Sequence, residues 1–569
     1  MKDLSAFEKF RNRPEAEKGS PKSSGKSKGF GDGLSDSDHK MLEEVADLLG
    51  GMSEKERDAL FGHLMKEFQK EIKIKPADWT ELHPFGIRCG SDKYYANLVN
   101  RLMAEVSVLN FPADMPVGCL YQICMSAAAY LEDLVSGLGV WDAFRSLYRR
   151  TYGTWLPFCD CSHDDYLTDN VNVEDIRFLA WQAFCRLGQP DDVIYSPLSM
   201  AVDRISDIIY PILEEEFETA PEATRLRDSL VKTLRDGDLY EIKEWAYWLR
   251  ADSQLLSSPN LKGWEQELSE KILSMPDIPD KQAAFHQMRS QDTWQACGPL
   301  GCLPSVYLAE MCRARGFDET ARKLDSFQVI EHGIFEVMGT DNRYLTVKDA
   351  AGTEFKIRTD SFKKHSVPTD CKGYEASIMK YGDDWHLNGM GVFMKDSPLP
   401  GETGVTYSTQ KRKELIDSVV ASNRGRRIFY CRTREEVAAV LGIPLKKAEV
   451  EDPDAPGNYV LMLSDEAGTV IMADVAEFFK DPKNPFYNKV EAHEWSMEVV
   501  MEGIVPDDIA AIIQEKRLLP EANIHMTQGK RLGKSVVQDN IRFLFAFYRT
   551  KNPSLDLFDD EEPDGFGDE

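Results

Sequence analysis

The sequence of 569 residues lacks several features that would assign it to a class of protein at once. It contains no run of about 18 consecutive apolar residues, the length that a membrane-spanning helix needs. Residues 1–30 contain no apolar block typical of a secretory signal, so we expect a cytoplasmic protein with no membrane partner. Positive charge is also scarce. The 68 Lys and Arg face 96 Asp and Glu, and the net charge of −28 argues against a general nucleic-acid coat.

Recognisable catalytic and cofactor motifs are missing as well. No G-x-S-x-G stretch occurs, and His493-Glu494 has no second histidine at the spacing of a zinc protease. The segment 529–535, with the sequence GKRLGKS, is one residue short of a phosphate-binding loop. We therefore expect no nucleotide and no other cofactor, and the catalytic residues, if any exist, are not identified by the sequence.

The 11 cysteines are spread through apolar segments, which indicates reduced thiols and not a disulfide framework. Cys159, Cys161 and His163 have the chemistry of zinc ligands. Their C-x-C-x-H spacing is tighter than that of structural zinc sites, and no second pair of that type follows. The spacing of these residues therefore predicts no metal site.

What is present is a pattern of three folded segments. From residue 38 to 320 the apolar residues recur at helical spacing, as at Tyr95, Leu98, Val99, Leu102 and Val106. A helix that begins after Asn172 has acids in its first turn and Arg186 in its last turn. This segment is predicted to be a helical domain.

Near residue 327 the apolar period changes to two. Short strands are predicted at 327–329, 334–338, 344–348, 354–357, 375–379 and 385–387. They indicate a small β-barrel over 326–395, either SH3-like or OB-like. Strands and helices then mix over 405–550, which predicts an α+β domain. The expected fold class is therefore α+β and multidomain, with a mainly helical N-terminal half.

The two ends of the chain differ from the middle in composition. Residues 1–30 hold eight Lys and Arg against four Asp and Glu, and the segment 1–37 is predicted to be a disordered basic tail. Residues 551–569 hold one Lys against eight acids and are predicted to be a disordered acidic tail. The excess of acids therefore belongs mainly to the folded segments.

One local basic patch stands out in this acidic chain. It is a possible anion or partner site and consists of Lys411, Arg412, Lys413, Arg424, Arg426 and Arg427. Glu414 and Asp417 interleave with these cations, which favours pairing with acids inside the protein over contact with nucleic acid.

A string of short motifs resembles a bacterial family whose domain is of unknown function. The resemblance covers residues 77–548. It rests on Asp78-Trp79, Leu82-His83-Pro84, Trp141, and the segments 92–95, 129–133, 156–158, 172–179, 210–213, 429–431, 481–487 and 537–541. It implies no activity and no site residues.

These observations favour a binding or scaffolding protein that acts through its surfaces, with another protein as partner. One alternative is a nucleic-acid-associated protein that uses the patch at 411–434. A second alternative is an enzyme whose site is assembled from residues far apart in the sequence.

Overall fold

The fold is seen in a computed structural model of the chain. The structure describes residues 73–109, 117–159, 166–187, 199–257, 281–349, 352–362, 371–396, 409–443, 457–489 except 466, 474 and 475, 505–519 and 539–550, with short pieces at 194–195, 197, 269–270, 272–274, 500, 503 and 526–527. Residues 74–109 and 115–569 form one compact unit, and only Lys73 of the other unit is described. Both predicted tails lie outside the described residues.

The N-terminal half is helical, as predicted. Its helices are α1 (Pro76–Glu81), α2 (Asp92–Val106), α3 (Val117–Ser136), α4 (Val140–Tyr152), α5 (Val173–Leu187), α6 (Met200–Phe217), α7 (Thr224–Asp236), α8 (Leu239–Ala251), α9 (Lys281–Asp292), α10 (Pro304–Ala314) and α11 (Asp318–Asp325). The predicted apolar face of α2, from Tyr95 to Val106, is buried. It packs on α1, α3 and α6.

Large aromatic side chains fill the core of this half. Trp79, Trp141, Trp181 and Trp245 are fully buried. No single described helix is long and apolar enough to cross a membrane, and the one pair that meets this test together, residues 118–136 with 140–152, is bent by 94°.

Five strands occupy the segment for which the sequence predicts a barrel. They are β2 (Gln328–Thr340), β3 (Tyr344–Lys348), β4 (Glu354–Arg358), β5 (Gly373–Tyr381) and β6 (Asp384–Met394), after a short β1 (Ile194–Tyr195). They close in the order β2-β3-β4-β6-β5. The interior contains alternate side chains, including Phe335, Leu345 and Ile357, because successive residues of a strand point to opposite faces.

The structure differs from the prediction in the first strand of this barrel. The two short strands predicted at 327–329 and 334–338 are one long strand, β2, whose register shifts twice. Register shifts of this kind bend a strand and increase its twist. The choice between an SH3-like and an OB-like barrel, and the domain boundaries, stay predictions.

The last part of the chain mixes helices and strands. It contains α12 (Thr409–Ser422), β7 (Ile428–Cys431), α13 (Arg434–Leu441), β8 (Tyr459–Ser464), β9 (Gly468–Ala473), α14 (Asp507–Lys516), β10 (Met526–Thr527) and α15 (Ile541–Arg549). Strands β7, β8 and β9 form an antiparallel sheet, and β10 pairs in parallel with β1. The chain is therefore an α+β protein overall.

Helix α15 packs into the aromatic core of the N-terminal half. Phe543 is fully buried, with its ring centroid 5.6 Å from that of Tyr148 and 6.1 Å from that of Trp181. The guanidinium of Arg186 lies over the ring of Phe547. The core of the helical half therefore includes residues from the end of the chain.

Candidate functional site

One member of the predicted basic patch, Arg427, is paired with acids and with a backbone carbonyl oxygen. Arg427 donates to the carbonyl oxygen of Leu463, at 2.9 Å, and pairs with Asp465, also at 2.9 Å. Asp508 lies 3.9 Å from the same guanidinium. Since these partners bind the cation already, Arg427 belongs to the packing of β7, β8 and α14.

The other described members of the patch have different surroundings. Arg426 donates to the carbonyl oxygen of Ile428 and lies over the ring of Phe429, 4.8 Å from its centroid. Arg424 has a left-handed backbone, with φ of 58°, at the end of α12, and Lys413 is exposed. The side chains of Lys411 and Arg412 lie outside the described part of the chain. The described cations therefore differ in their partners, and an anion or partner site at this patch stays a prediction.

A larger feature is a groove of about 730 Å³ between the helical half and the barrel. Its walls come from the α7–α8 turn, α11, the end of β4 and the β5–β6 turn. The hydroxyl of Tyr381 donates to the carbonyl oxygen of Gly237, at 2.9 Å, and fastens the barrel to the turn. Gly237 has φ of +64°, and an added Cβ would lie 2.7 Å from Thr320 Oγ1. Glycine is therefore required for this close contact.

A second contact fixes the barrel to the helices below the groove. Lys243 on α8 donates to the Oδ1 of Asn388 on β6, at 3.0 Å, and the amide of Asn388 donates to Ser377. Burial lowers the pKa of Lys243 to about 8. The backbone N–H of Met390 donates to Gln287 on α9. These hydrogen bonds connect the barrel to the α7–α8 turn, α8 and α9, and so fix the two sides of the groove relative to each other.

Carboxylates outnumber cations in the groove by six to three. The acids are Asp236, Asp238, Glu319, Asp360, Asp383 and Asp384, and the cations are Arg322, Lys323 and Arg358. Arg358 pairs with Asp360 at 2.6 Å and with Asp384 at 3.4 Å, and Lys323 pairs with Glu319 at 3.0 Å. The lining therefore carries three more negative than positive formal charges.

An aromatic ring and an imidazole complete the groove. Tyr240 exposes 38% of its surface next to Asp238 and Asp360. The pKa of His386 is lowered by burial, so its ring is neutral at neutral pH. Its Nδ1 lies 3.5 Å from Ser361 Oγ, which is longer than the roughly 2.6–3.2 Å that a nucleophile and its base need. The geometry suits binding better than nucleophilic chemistry.

Buried acids form two further polar clusters, in the helical half. The carboxylate of Asp175 accepts from Tyr130 at 2.6 Å and from the indole of Trp141 at 2.8 Å. The guanidinium of Arg145 lies 3.6 Å from it. Asp175 lies in the first turn of α5, where the sequence predicts acids, and it is fully buried.

The second buried cluster surrounds His83. Its Nε2 lies 3.1 Å from Glu132 Oε2, and the other oxygen of Glu132 accepts from the indole of Trp79. Its Nδ1 lies 2.9 Å from the carbonyl oxygen of Ile87. Burial opposes the charge of His83, but hydrogen bonds to Cys89 and Glu132 and the charge of Glu132 raise its pKa to about 10.

The described cysteines include both free thiols and a disulfide-bonded residue. Nine of them are free, as expected from their apolar surroundings. Cys159 is disulfide-bonded, which corrects the expectation of a reduced thiol at that position. Cys161, His163 and the glycine-rich segment 529–535 lie outside the described residues.

Comparison with known families identifies the chain. A family model described as protein of unknown function (DUF3843) matches residues 73–298 and 404–549. These matched segments make up more than half of the chain. The chain belongs to the DUF3843 family. No curated protein and no solved structure matches it.

The segment that the DUF3843 match leaves out forms part of the groove. Residues 299–403 lie between the two matched segments and contain α10, α11 and the barrel. The groove therefore lies where this segment meets the α7–α8 turn, which is inside the match. One wall belongs to the DUF3843 core, and the other walls come from the segment outside the match.

Sequence reasoning missed the groove and both buried clusters. The groove is lined from four stretches, near 236–240, 319–326, 358–360 and 381–386, and no local pattern relates them. The acid-rich turns at Asp236-Gly-Asp238 and Asp383-Asp384 are the one signal that was available. Each is an ordinary turn sequence by itself, so only the fold brings them together.

Proposed function

We propose that this protein binds another protein and that the groove accommodates a basic segment of that partner. The observation that carries this proposal is the excess of carboxylates over cations in a groove of about 730 Å³. A surface with one dominant sign attracts a partner of the opposite sign and orients it during encounter.

The aromatic ring in the groove supports the same chemistry. Arg and Lys side chains pack over the face of a tyrosine ring and gain cation–π attraction there. Tyr240 exposes part of its ring beside the carboxylates of Asp238 and Asp360. A basic side chain is the type that would meet both features at once.

The ionisation of the wall acids also favours binding over catalysis. Hydrogen bonds to Arg235 and Lys232 lower the pKa of Asp236, and a hydrogen bond to Lys323 lowers the pKa of Glu319. Both groups are therefore fixed negative charges at neutral pH, not proton donors. An enzyme with a site assembled from distant residues stays an alternative, in which His386 would act as a base.

The nucleic-acid alternative has weaker support. Within the patch at 411–434, Arg427 already pairs with carboxylates, and Arg426 donates to the carbonyl oxygen of Ile428. A phosphate backbone would have to displace these internal partners before it gained a contact.

We expect a labelled dodecapeptide of alternating Arg and Ser to bind the full chain at low salt and to weaken as NaCl is added. Neutralising three groove acids with Asp236→Asn, Glu319→Gln and Asp383→Asn should weaken binding about tenfold, at a few tenths to 1 kcal/mol for each exposed charge. Fluorescence anisotropy measures both effects.

The matched control neutralises three exposed acids outside the groove, with Glu105→Gln, Glu218→Gln and Glu354→Gln. This variant has the same net charge as the groove variant and should bind like the unmodified chain. An equal loss of affinity in both variants, or equal binding of a Glu-Ser peptide, would contradict the groove as the site.

A further inference from the structure

Two cysteines lie directly opposite each other in a tight turn between α9 and α10. Cys297 and Cys302 are partners in an antiparallel β-bridge, and the N–H of Cys297 donates to the carbonyl oxygen of Cys302 at 2.8 Å. Both are thiols in the structure. Residues paired in this way have Cα atoms about 4.5–5.5 Å apart and side chains on the same face. Disulfides join Cα atoms about 4.4–6.8 Å apart, so the backbone already has the separation that a bond requires.

The residues between these cysteines hold the backbone in this turn. Gly298 and Gly301 have φ of +71° and +57°, in the left-handed region that favours glycine. A Cβ on Gly298 would collide with the hydroxyl of Tyr307, and one on Gly301 would lie 2.8 Å from the carbonyl oxygen of Ala546. The N–H of Gly298 donates to the carbonyl oxygen of Leu256 at 3.1 Å. Because these contacts fix the turn, they keep the two thiols opposite each other.

The two thiols differ in exposure. Cys297 is 3% exposed, and burial raises the pKa of its thiol to about 12. Cys302 is half-buried, and its thiol donates to the carbonyl oxygen of Leu300 at 3.6 Å. An oxidant in solution therefore meets Cys302 first, and Cys297 is the neighbouring thiol that can react with the oxidised sulfur.

The same turn carries part of the contact with α15. Thr550, directly after this helix, donates from its hydroxyl to the carbonyl oxygen of Gly298 at 3.0 Å, and Gly301 lies against the backbone of Ala546. A disulfide across a turn that already has its native shape restricts the unfolded chain, and so favours the folded turn. A bond between the two cysteines would therefore stabilise the surface on which α15 packs.

We propose that Cys297 and Cys302 form a reversible disulfide in response to hydrogen peroxide, and that this bond strengthens the attachment of α15 to the helical half. The sulfur of Cys302 attacks one oxygen of the peroxide, the O–O bond breaks, and a sulfenic acid and the first water form. The sulfur of Cys297 then attacks that of Cys302, the S–O bond breaks, and the hydroxyl group leaves as the second water with the proton of Cys297. The two thiols lose two electrons, and these reduce the peroxide to two waters. This inference is independent of the proposed groove function.

Peptide mapping of the full chain is the first test. Trypsin releases both cysteines, together with the buried Cys312, in the peptide 290–313. After brief treatment with peroxide, followed by unfolding and alkylation, this peptide should carry one alkyl group, on Cys312, where the untreated protein carries three. Dithiothreitol should restore all three. Three alkyl groups after a dose that oxidises free glutathione completely, or a sulfinic acid at Cys302 with no bond to Cys297, would overturn the proposal.

Two serine variants identify the pair. After peroxide, Cys302→Ser should keep both of its alkyl groups in this peptide, whereas Cys312→Ser should lose both. A bond from Cys302 to Cys312 in the unmodified chain would show that the bridge does not select the partner.

The melting temperature tests the effect on the fold. Peroxide should raise it by about 2–4 °C in the unmodified chain, and dithiothreitol should reverse the rise. Because dithiothreitol also reduces the disulfide of Cys159, Cys302→Ser provides the baseline and should show no rise with peroxide. An equal rise in both chains, or no rise in a chain in which mapping finds the bond, would contradict the stabilisation of the α15 contact.

Discussion

Replacing Phe543 with alanine is expected to lower the free energy of unfolding by about 3–5 kcal/mol. The ring is fully buried on α15 and touches aromatic rings from α4 and α5, among them Tyr148, Phe178 and Trp181. Alanine would leave a cavity between rigid rings, which relax poorly into the space. Urea unfolding followed by tryptophan fluorescence measures the loss.

The controls for this variant separate volume from position. Phe543→Leu keeps most of the apolar volume and should lose less stability. Leu415→Ala removes an apolar side chain that is 50% exposed and should change the free energy of unfolding by about 0.5 kcal/mol or less. A loss confined to α12–α14, with the helical half intact, would contradict the packing of α15 described above.

The second large effect is a pH dependence of stability that comes from Asp133. Its carboxylate accepts from the backbone N–H groups of Val140, at 2.9 Å, and Trp141, at 3.0 Å, and so caps α4. Burial outweighs these two hydrogen bonds and raises the pKa from 3.8 to about 7. The folded protein therefore holds this proton more tightly than the unfolded chain does.

The sign follows from that difference. Between pH 3.8 and about 7 the unfolded chain releases the proton while the folded chain keeps it, so this group's contribution to stability falls as the pH rises. The fall is about 1.4 kcal/mol for each pH unit, or on the order of 4 kcal/mol in total. Above that window both states are ionised and the contribution is constant.

Asp133→Asn tests this prediction, because it cannot ionise. The difference in unfolding free energy between the variant and the unmodified chain should shift in the variant's favour from pH 5 to pH 7. The exposed Asp228, replaced in the same way, should give no such slope. A constant difference across this pH range for Asp133→Asn would show that burial does not raise the pKa in the folded protein.

Much of the architecture could be predicted because it depends on local periodicity. The buried face of α2 is a direct consequence of apolar residues at helical spacing. The strands β3 and β4 begin at the predicted residues, since alternation and turn residues mark them. The prediction erred at β2, where polar residues within one bulged strand resemble a break between two strands.

The sites could not be predicted because they depend on long-range contacts. His83 and Glu132 are far apart in the sequence, and Glu132-Asp133 resembles an ordinary pair of surface acids. Both acids are buried in the folded protein. Glu132 is hydrogen-bonded to the imidazole of His83, and Asp133 caps the helix α4. Likewise, the sequence near 411–427 does not show that Arg427 pairs with Asp465 or that Arg426 donates to the carbonyl oxygen of Ile428.

The position of Phe543 has a consequence for biosynthesis. The ribosome releases α4 and α5 before α15, which begins more than 350 residues further along the chain. While the intervening residues are synthesised, the aromatic face formed by Tyr148, Phe178 and Trp181 therefore lacks the packing of Phe543. We expect the nascent chain to need protection by a chaperone through this interval, and we expect chains that stop before residue 541 to aggregate or to be degraded.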